Sequence, residues 1–399
     1  MSLRKFLDNI KPNFEEGGKL HWLYSTYDAF ETFLYVPNHT SKSGVHIHDA
    51  RDSKRTMVIV ILALIPALLM GMYNVGYQHY LSIGVDASFI QTFIYGLLGM
   101  LPHIVVSYVV GLGIEFAMAQ IKKEEVAEGF LVSGMLIPMI VPIDTPLWMI
   151  AVATAFSVIL AKEVFGGTGY NIFNVALIAR AFLFFAYPSK MSGDQVWVRT
   201  DSTFGIGGGE VVDGLSGATP LGQIATSDVA SFSDFSFHSV TGEVLNLWDM
   251  FVGLIPGSMG EVSTLAILLG ALILIATGVG SWKTMVSVFA GGAATALLLN
   301  ALAVNLMMEM PPLYHLFLGG FAFGAVFMAT DPVTSARTEK GKWVFGFLIG
   351  VLAVLIRVFN PGYPEGMMLA ILFMNAFAPL IDFYVVDGNI KRRLKRAVK

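Results

Sequence analysis

The sequence predicts an all-α polytopic membrane protein of about ten transmembrane helices. Three observations predict it. Of the 399 residues, 55% are apolar and only 14% are charged, with a mean hydropathy of +0.67, whereas a soluble domain carries about 25% charged residues. Uncharged runs long enough to cross a bilayer recur along the chain. The basic residues are shared unevenly among the segments joining those runs. The net charge of −4 says little, because in a membrane protein placement outweighs the sum.

Residues 1–55 form a polar and aromatic arm, as in HWLYSTYDAFETFLY at 21–35. The arm has no early hydrophobic core of the signal-peptide kind, so insertion is expected to begin at the first span. Spans follow at about 56–76 and 89–119. The interval 129–188 breaks at Pro142–Pro146 and again at FGGTGYN (165–171), giving segments at 129–141, 147–162 and 171–188. A polar loop occupies 189–262. A second half, 263–386, holds spans at 263–280, 284–306, 313–330, 343–359 and 366–386, and a basic tail covers 387–399.

Charge placement orients this arrangement. With the N-terminus inside, the segments expected on the cytoplasmic face hold 21 of the 25 Lys and Arg residues. The outer segments hold only Lys190 and Arg199, although they include the long loop. Both termini are therefore expected in the cytoplasm and the loop outside. Five spans precede the loop and five follow it, which allows two inverted five-helix repeats. The halves share a Gly/Pro-broken turn leading into a short helix, FGGTGYNIFNVALIARAF (165–182) and FNPGYPEGMMLAILFMNAF (359–377). Such breaks at membrane depth need buried partners or a cavity for their backbone groups.

The chain has no cysteine. That excludes disulfides, zinc–thiolate sites, conventional iron–sulfur clusters and thiol catalysis. No dinucleotide fingerprint is present, and GGTG lacks the strand and Lys-Ser/Thr context of a phosphate loop. His46 and His48 in VHIHD look like a small metal motif, but two histidines on a polar arm are usually solvated. The glycosylation triplet NHT at 38–40 is expected on the cytoplasmic side, where it carries no meaning.

Five strings in one order now resemble a known family. They are AKEVFGGTGYNIFNVALIARAFLFFAYP (161–188), DGLSGATPL (213–221), IPGSMGEVSTLA (255–266), LGGFAFGAVFMATDPVTS (318–335) and IRVFNPGYPEGMMLAILFMNAFAPLID (356–382). The chain is similar in these to the B-type membrane subunit of the sodium-translocating NADH:quinone oxidoreductase. The resemblance runs through nearly the whole chain.

The resemblance implies a bacterial inner-membrane, multi-pass subunit that passes electrons from covalent FMN through riboflavin to quinone, coupled to sodium export. The FMN would be a phosphoester on Thr219, in the context of Ser216, Gly217 and Ala218, attached outside by a flavin transferase. Gly214, Gly217 and Ala218 offer small, mobile neighbours for entry into a transferase cleft, and Ser216 is the competing hydroxyl. A noncovalent riboflavin would sit around Asn171 and Asn174, whose three-residue spacing puts both amides on one helical face. Val175 stands where the family often has proline.

Quinone would be reduced near the inner face, with Gly111 in GLGIEF (111–116) and the aromatic arm as candidates, although Leu112 replaces the second glycine of the family pattern. The bland alternative for Gly111 is helix packing. Glu115, Asp331 and Asp382 resemble acidic positions of sodium uptake, since carboxylates in apolar segments are functional candidates. Capping of a chain break is the alternative for Asp331. No catalytic residue is assigned. Partners implied are an outer flavoprotein, an NADH-oxidising subunit, the transferase and membrane lipid, with no nucleic acid. The stretch RTDSTFGIGGGEVV (199–212) reads as a flexible lead to the flavin-bearing segment.

Two other readings stay open on the residues alone. One is the related D-type subunit of the Rnf-type electron-transport complex, which also carries threonine-linked FMN. The other is a urea-transporter-like channel without a redox centre.

Overall fold

The computed structural model describes residues 3–15, 17–35, 43–45, 53–124, 126, 128–193, 197–202, 205–209, 217–360 and 362–397. Ser216, the 38–40 triplet and the histidines of VHIHD lie outside these residues.

The arm folds as α1 (Leu3–Ile10) and α2 (Tyr24–Leu34). Tyr27 Oη donates to Leu7 O at 3.0 Å, and Lys11 Nζ donates to Glu31 at 3.0 Å. That bond to a carboxylate raises the Lys11 pKa. The arm is fastened to the first two long helices by Phe30 against Phe116 and by Lys54 on Thr32.

α3 (Ser53–Ser82) and α4 (Phe89–Lys122) are long and apolar on all sides, as lipid and protein contact together require. Ser88 and Gln91 cap the start of α4 reciprocally, and Lys123 ends it in a left-handed conformation. α5 (Phe130–Met139) stops at Pro138, and α6 (Leu147–Phe156) starts after Pro146. A π turn at Ser157–Lys162 and a 3-10 turn at Glu163–Phe165 continue α6. α7 (Val175–Ala186) is short and capped by Asn174.

Among the described residues the polar loop holds brief helices, α8 (Pro188–Met191), α9 (Pro220–Ala225) and α10 (Leu247–Val252), and a 3-10 turn at Phe232–Asp234. α11 (Thr264–Ala276) and α12 (Trp282–Leu302) open the second half. The interval 313–330 is not one span. After α13 (Leu306–Glu309), it breaks into α14 (Pro312–Phe317) and α15 (Phe321–Phe323), the last running into a π turn at Gly324–Met328. The chain break follows from Gly319 and Gly320, both at positive φ, which no helix accommodates. α16 (Glu339–Phe359) and α17 (Met367–Ala397) complete the chain, and α17 runs into the basic tail without interruption.

Among the described residues, six helices are long and apolar enough to cross a membrane, and α5, α7 and α11 are shorter apolar helices. This is fewer full-length spans than the sequence suggests, because apolar composition does not reveal where backbone continuity fails. The broken stretches are the most buried part of the protein: Ile137, Met139 and Ile140 after one break and Phe321, Phe323 and Val326 at the other are wholly enclosed. Backbone groups freed at a break cannot face lipid. At the end of α5, the Gly260 N–H donates to Met139 O at 2.7 Å and the Met259 N–H to Val141 O at 3.3 Å. At the end of α14, the Arg357 guanidinium donates to His315 O at 2.6 Å and Leu318 O at 3.0 Å. Each break is thus closed by a donor from elsewhere in the chain.

α12 and α16 run against each other through a glycine seam. A Cβ on Gly350 would lie 2.1 Å from Val288 O, and one on Gly291 would lie 2.2 Å from Phe347 O. Backbones in contact at this range supply the dispersion and weak Cα–H bonding that hold helices together in lipid.

Candidate functional site

Two places gather the chemistry-bearing side chains. The first is a cavity of about 110 Å³ whose lining includes Lys162, Thr168, Asn171, Asn174, Thr330 and Asp331. Gly166, Gly167 and Gly169 all have positive φ, so the chain cannot begin a helix before residue 170. Asn174 is consequently the N-cap of α7, extended at φ −64°, ψ 123°, with Oδ1 accepting from the Leu177 N–H at 3.2 Å. This corrects the shared helical face: Asn171 belongs to the preceding turn, where its Nδ2 donates to Phe173 O at 3.1 Å. The two amides still line one cavity.

Asn174 Nδ2 donates to Asp331 at 3.3 Å, and the same carboxylate accepts from the Val333 N–H and Thr334 Oγ1, each at 3.0 Å. In the orientation that satisfies its neighbours, the Asn375 amide accepts from the Asn174 N–H at 3.2 Å. Thr168 Oγ1 is buried without a hydrogen-bond partner. A buried hydroxyl left unmet beside a cavity can serve the polar rim of a ligand. The lining sets two amides, two threonine hydroxyls, Lys162 and Asp331 amid apolar side chains; the Asn174 amide and the Thr330 hydroxyl are bonded within the chain, and Thr168 Oγ1 is the hydroxyl left open to a ligand.

The second place surrounds Thr219. Thr219 is the N-cap of α9, with Pro220 at the first helical position. Its Oγ1 accepts from the Gly222 N–H at 3.1 Å and donates to Gly193 O at 3.2 Å, and its own N–H donates to Gly193 O at 2.9 Å. Gly217 O accepts from the Trp197 N–H at 2.9 Å, and Ala218 O from Gln223 Nε2 at 3.1 Å. Residues 217–223 are thus tied by hydrogen bonds to Gly193 and Trp197, and the Thr-Pro pair opens α9. The lead before it is also fastened where described: His79 bonds Arg199 O at 2.8 Å and accepts from the Gly208 N–H at 3.1 Å, and Tyr95 donates to Asp201 O at 2.5 Å.

The Thr219 side chain borders a cleft of about 30 Å³ formed with Ile255–Ser258, Glu261, Gly319–Gly320 and Glu365. An ester at Oγ1 would remove the proton given to Gly193 and keep the oxygen that caps α9. The residues present fit such an attachment.

Beneath the cleft lies a charged group that the sequence motifs do not single out. Arg180 of α7 places Nη1 2.8 Å from both carboxylate oxygens of Glu261, while Nη2 donates to Glu365. Ser258 Oγ adds a 2.5 Å bond to Glu261. All three charged residues are buried. The signal was available: ionisable residues inside or beside apolar segments are expensive there and rarely idle.

The remaining candidates fall in separate places. Gly111 lies under the Phe130 ring; a Cβ would come 1.8 Å from Phe130 Cζ. Gly111→Ala is accordingly expected to cost about 1–3 kcal/mol by overpacking, measured as a lower unfolding midpoint, with Gly111→Ala/Phe130→Leu recovering part of it. An unchanged midpoint in the single variant would refute the packing role. Glu115 is buried and paired with Lys162, its second oxygen unpartnered. Asp382 accepts from the Arg337 N–H at 2.7 Å and from Thr338 Oγ1 at 2.6 Å, closing the turn into α16. Lys162, the partner of Glu115, lines the same cavity as Asp331, and the described residues contain no group of three or more His, Asp or Glu arranged to hold a metal ion.

Comparison with known proteins agrees with this architecture. Residues 40–391 match the model of the NQR2, RnfD, RnfE family. The chain is 45% identical to the B-type subunit of the Na(+)-translocating NADH-quinone reductase of Ectopseudomonas mendocina, over all of both chains. It is 44% identical to the protein of that name from Klebsiella pneumoniae and to the one from Pseudomonas aeruginosa, over 99% of this chain and all of each relative. The chain belongs to the NQR2, RnfD, RnfE family.

Proposed function

We propose that this chain is the flavin-carrying membrane subunit of a Na(+)-translocating NADH-quinone reductase of the bacterial inner membrane. Electrons reach FMN esterified to Thr219 from an outer flavoprotein, pass to riboflavin in the Asn171/Asn174 cavity, and reduce quinone near the inner end of α4, coupled to sodium export. NADH is oxidised on another subunit, and a flavin transferase attaches the FMN. Full-length similarity to the NADH-quinone reductase relatives supports this over the Rnf-type reading. Ten membrane segments in two inverted halves are part of the same reading, supported by the paired breaks after α5 and after α14.

The observation that carries the reading is the Thr219 oxygen: a largely buried hydroxyl held by Gly193 and Gly222 on a side chain that borders a small cleft. Flavin, when bound, supplies the electron chemistry. The chain supplies placement. Thr219 fixes the attachment point, and Gly193 and Gly222 hold the oxygen in one rotamer. Asn171, Asn174 and Thr168 present a polar rim at the cavity wall, and Asp331 fixes the Asn174 amide.

Co-expression with a flavin transferase and in-gel fluorescence of the denatured protein tests it. The natural chain is expected to fluoresce and Thr219→Val to lose the band entirely. A dark natural chain, with the transferase shown active on another substrate, would favour the channel reading.

A further inference from the structure

We propose that Arg180 is a positioning residue that holds the Thr219 cleft in register with the Asn171/Asn174 cavity, so that electrons pass between them at a fixed separation. The proposal rests on the two-flavin reading above.

α7 is the physical link between the two places. Its cap, Asn174, lines the inner cavity, and Arg180 lies six residues further on, about 9 Å along the axis at 1.5 Å per residue. From there Arg180 grips two loops of the second half of the chain. Nη1 holds Glu261, which ends the loop Ile255–Glu261, and Nη2 holds Glu365, just before α17. Both glutamates also border the Thr219 cleft. One guanidinium thus ties a rigid helix, whose far end borders the inner cavity, to the floor of the outer cleft.

Arginine suits this task for a geometric reason. Its donors lie in one plane at fixed angles, so two carboxylates on separate nitrogens are fixed in direction as well as distance. A lysine would supply the charge at a single rotatable point. The surroundings enforce the geometry: Ser258 holds the free edge of Glu261, and the Tyr363 ring packs edge-on against Phe184 of α7 at 4.6 Å. The guanidinium lines neither proposed flavin site, whereas Glu261 and Glu365 line the Thr219 cleft. All three border a small void of about 10 Å³ beside the buried, unpartnered Tyr363 hydroxyl.

The step it serves moves one electron from the reduced Thr219-linked ring to the oxidised ring in the cavity, and no atom crosses between them. The reductant is the outer one-electron flavoprotein of the complex. Because transfer falls steeply with separation, a loosened clamp slows this step and leaves reduction of the outer flavin alone.

The test uses the complete complex carrying Arg180→Lys, or Arg180→Met with Glu261→Gln. The double variant removes one cation together with one carboxylate and leaves Glu365 beside the buried Arg357 guanidinium. Covalent flavin is read in gel, and the two flavin reductions are followed by stopped-flow absorbance. The expected result is an intact covalent band and a normal outer reduction in Arg180→Lys, which leaves both cleft glutamates in place, with transfer to the cavity flavin slowed there and slowed by roughly tenfold or more in the double variant. Natural transfer in the double variant would overturn the proposal. So would loss of the covalent band in Arg180→Lys, because Arg180 would then serve the cleft alone. A missing band in the natural complex would remove the two-flavin reading and the proposal with it.

Discussion

Replacing Lys162 with Met is expected to destabilise the folded protein by about 3–5 kcal/mol, the cost of leaving a buried carboxylate without its counterion. Lys162 and Glu115 have side chains only 4% exposed, and they meet between the π turn after α6 and the body of α4. The Glu115 oxygen that does not face Lys162 has no partner at all, so no neighbour can take over. Adding Glu115→Gln should recover most of the loss, since an amide buried there costs far less than a charge. The check is denaturant or thermal unfolding of the two variants in the same detergent. A single variant as stable as the natural protein would mean that the pair is open to water. A double variant no better than the single would place the effect in packing of the lysine stem.

Arg357→Leu is expected to be comparably severe, for a different reason. Arg357 is 1% exposed and donates to four backbone carbonyls: Pro364, His315, Leu318 and Glu365. It is a capping device for two chain breaks, not an ion pair. At about 1–3 kcal/mol for each buried group left unmet, incomplete rearrangement still leaves a loss of about 3–5 kcal/mol. Arg357→Lys should fall between, because one ammonium cannot reach four acceptors on two sides. Equal stability of all three proteins, by the same unfolding measurement, would refute the assignment.

Much of this was legible in the residues, and its limits are instructive. The long helices announce themselves, because α3, α4, α16 and α17 need only sustained apolar composition. The candidate threonine and the asparagine pair stand out as motifs, but their geometry does not. Asn171 and Asn174 have helical spacing, yet the three positive-φ glycines before them forbid a helix there, and Asn174 becomes a cap. The Thr219 segment reads as a small, mobile loop because glycine and alanine dominate it. Its described end is hydrogen-bonded to Gly193 and Trp197, some twenty residues upstream, which no local pattern reveals. Lys162 reads as a loop charge, since a π turn has no sequence period of its own. The Arg180 group joins residues 81 and 185 positions apart, a separation that only the fold closes.

The glycine seam between α12 and α16 has a consequence for how the chain is built. The two helices flank the broken stretch from α13 to α15, whose interrupted backbone has no stable place in lipid. Two intact helices with a complementary close-contact face can insert independently and then pair within the bilayer. During synthesis α12 waits in the membrane while the broken stretch emerges, and α16 follows. Zipping of the seam then draws that stretch out of the translocation site and against an existing protein wall, where Arg357, carried on α16 itself, arrives with the donors its carbonyls need. The seam thereby gives the interrupted stretch a protein wall to pack on once α16 is in place.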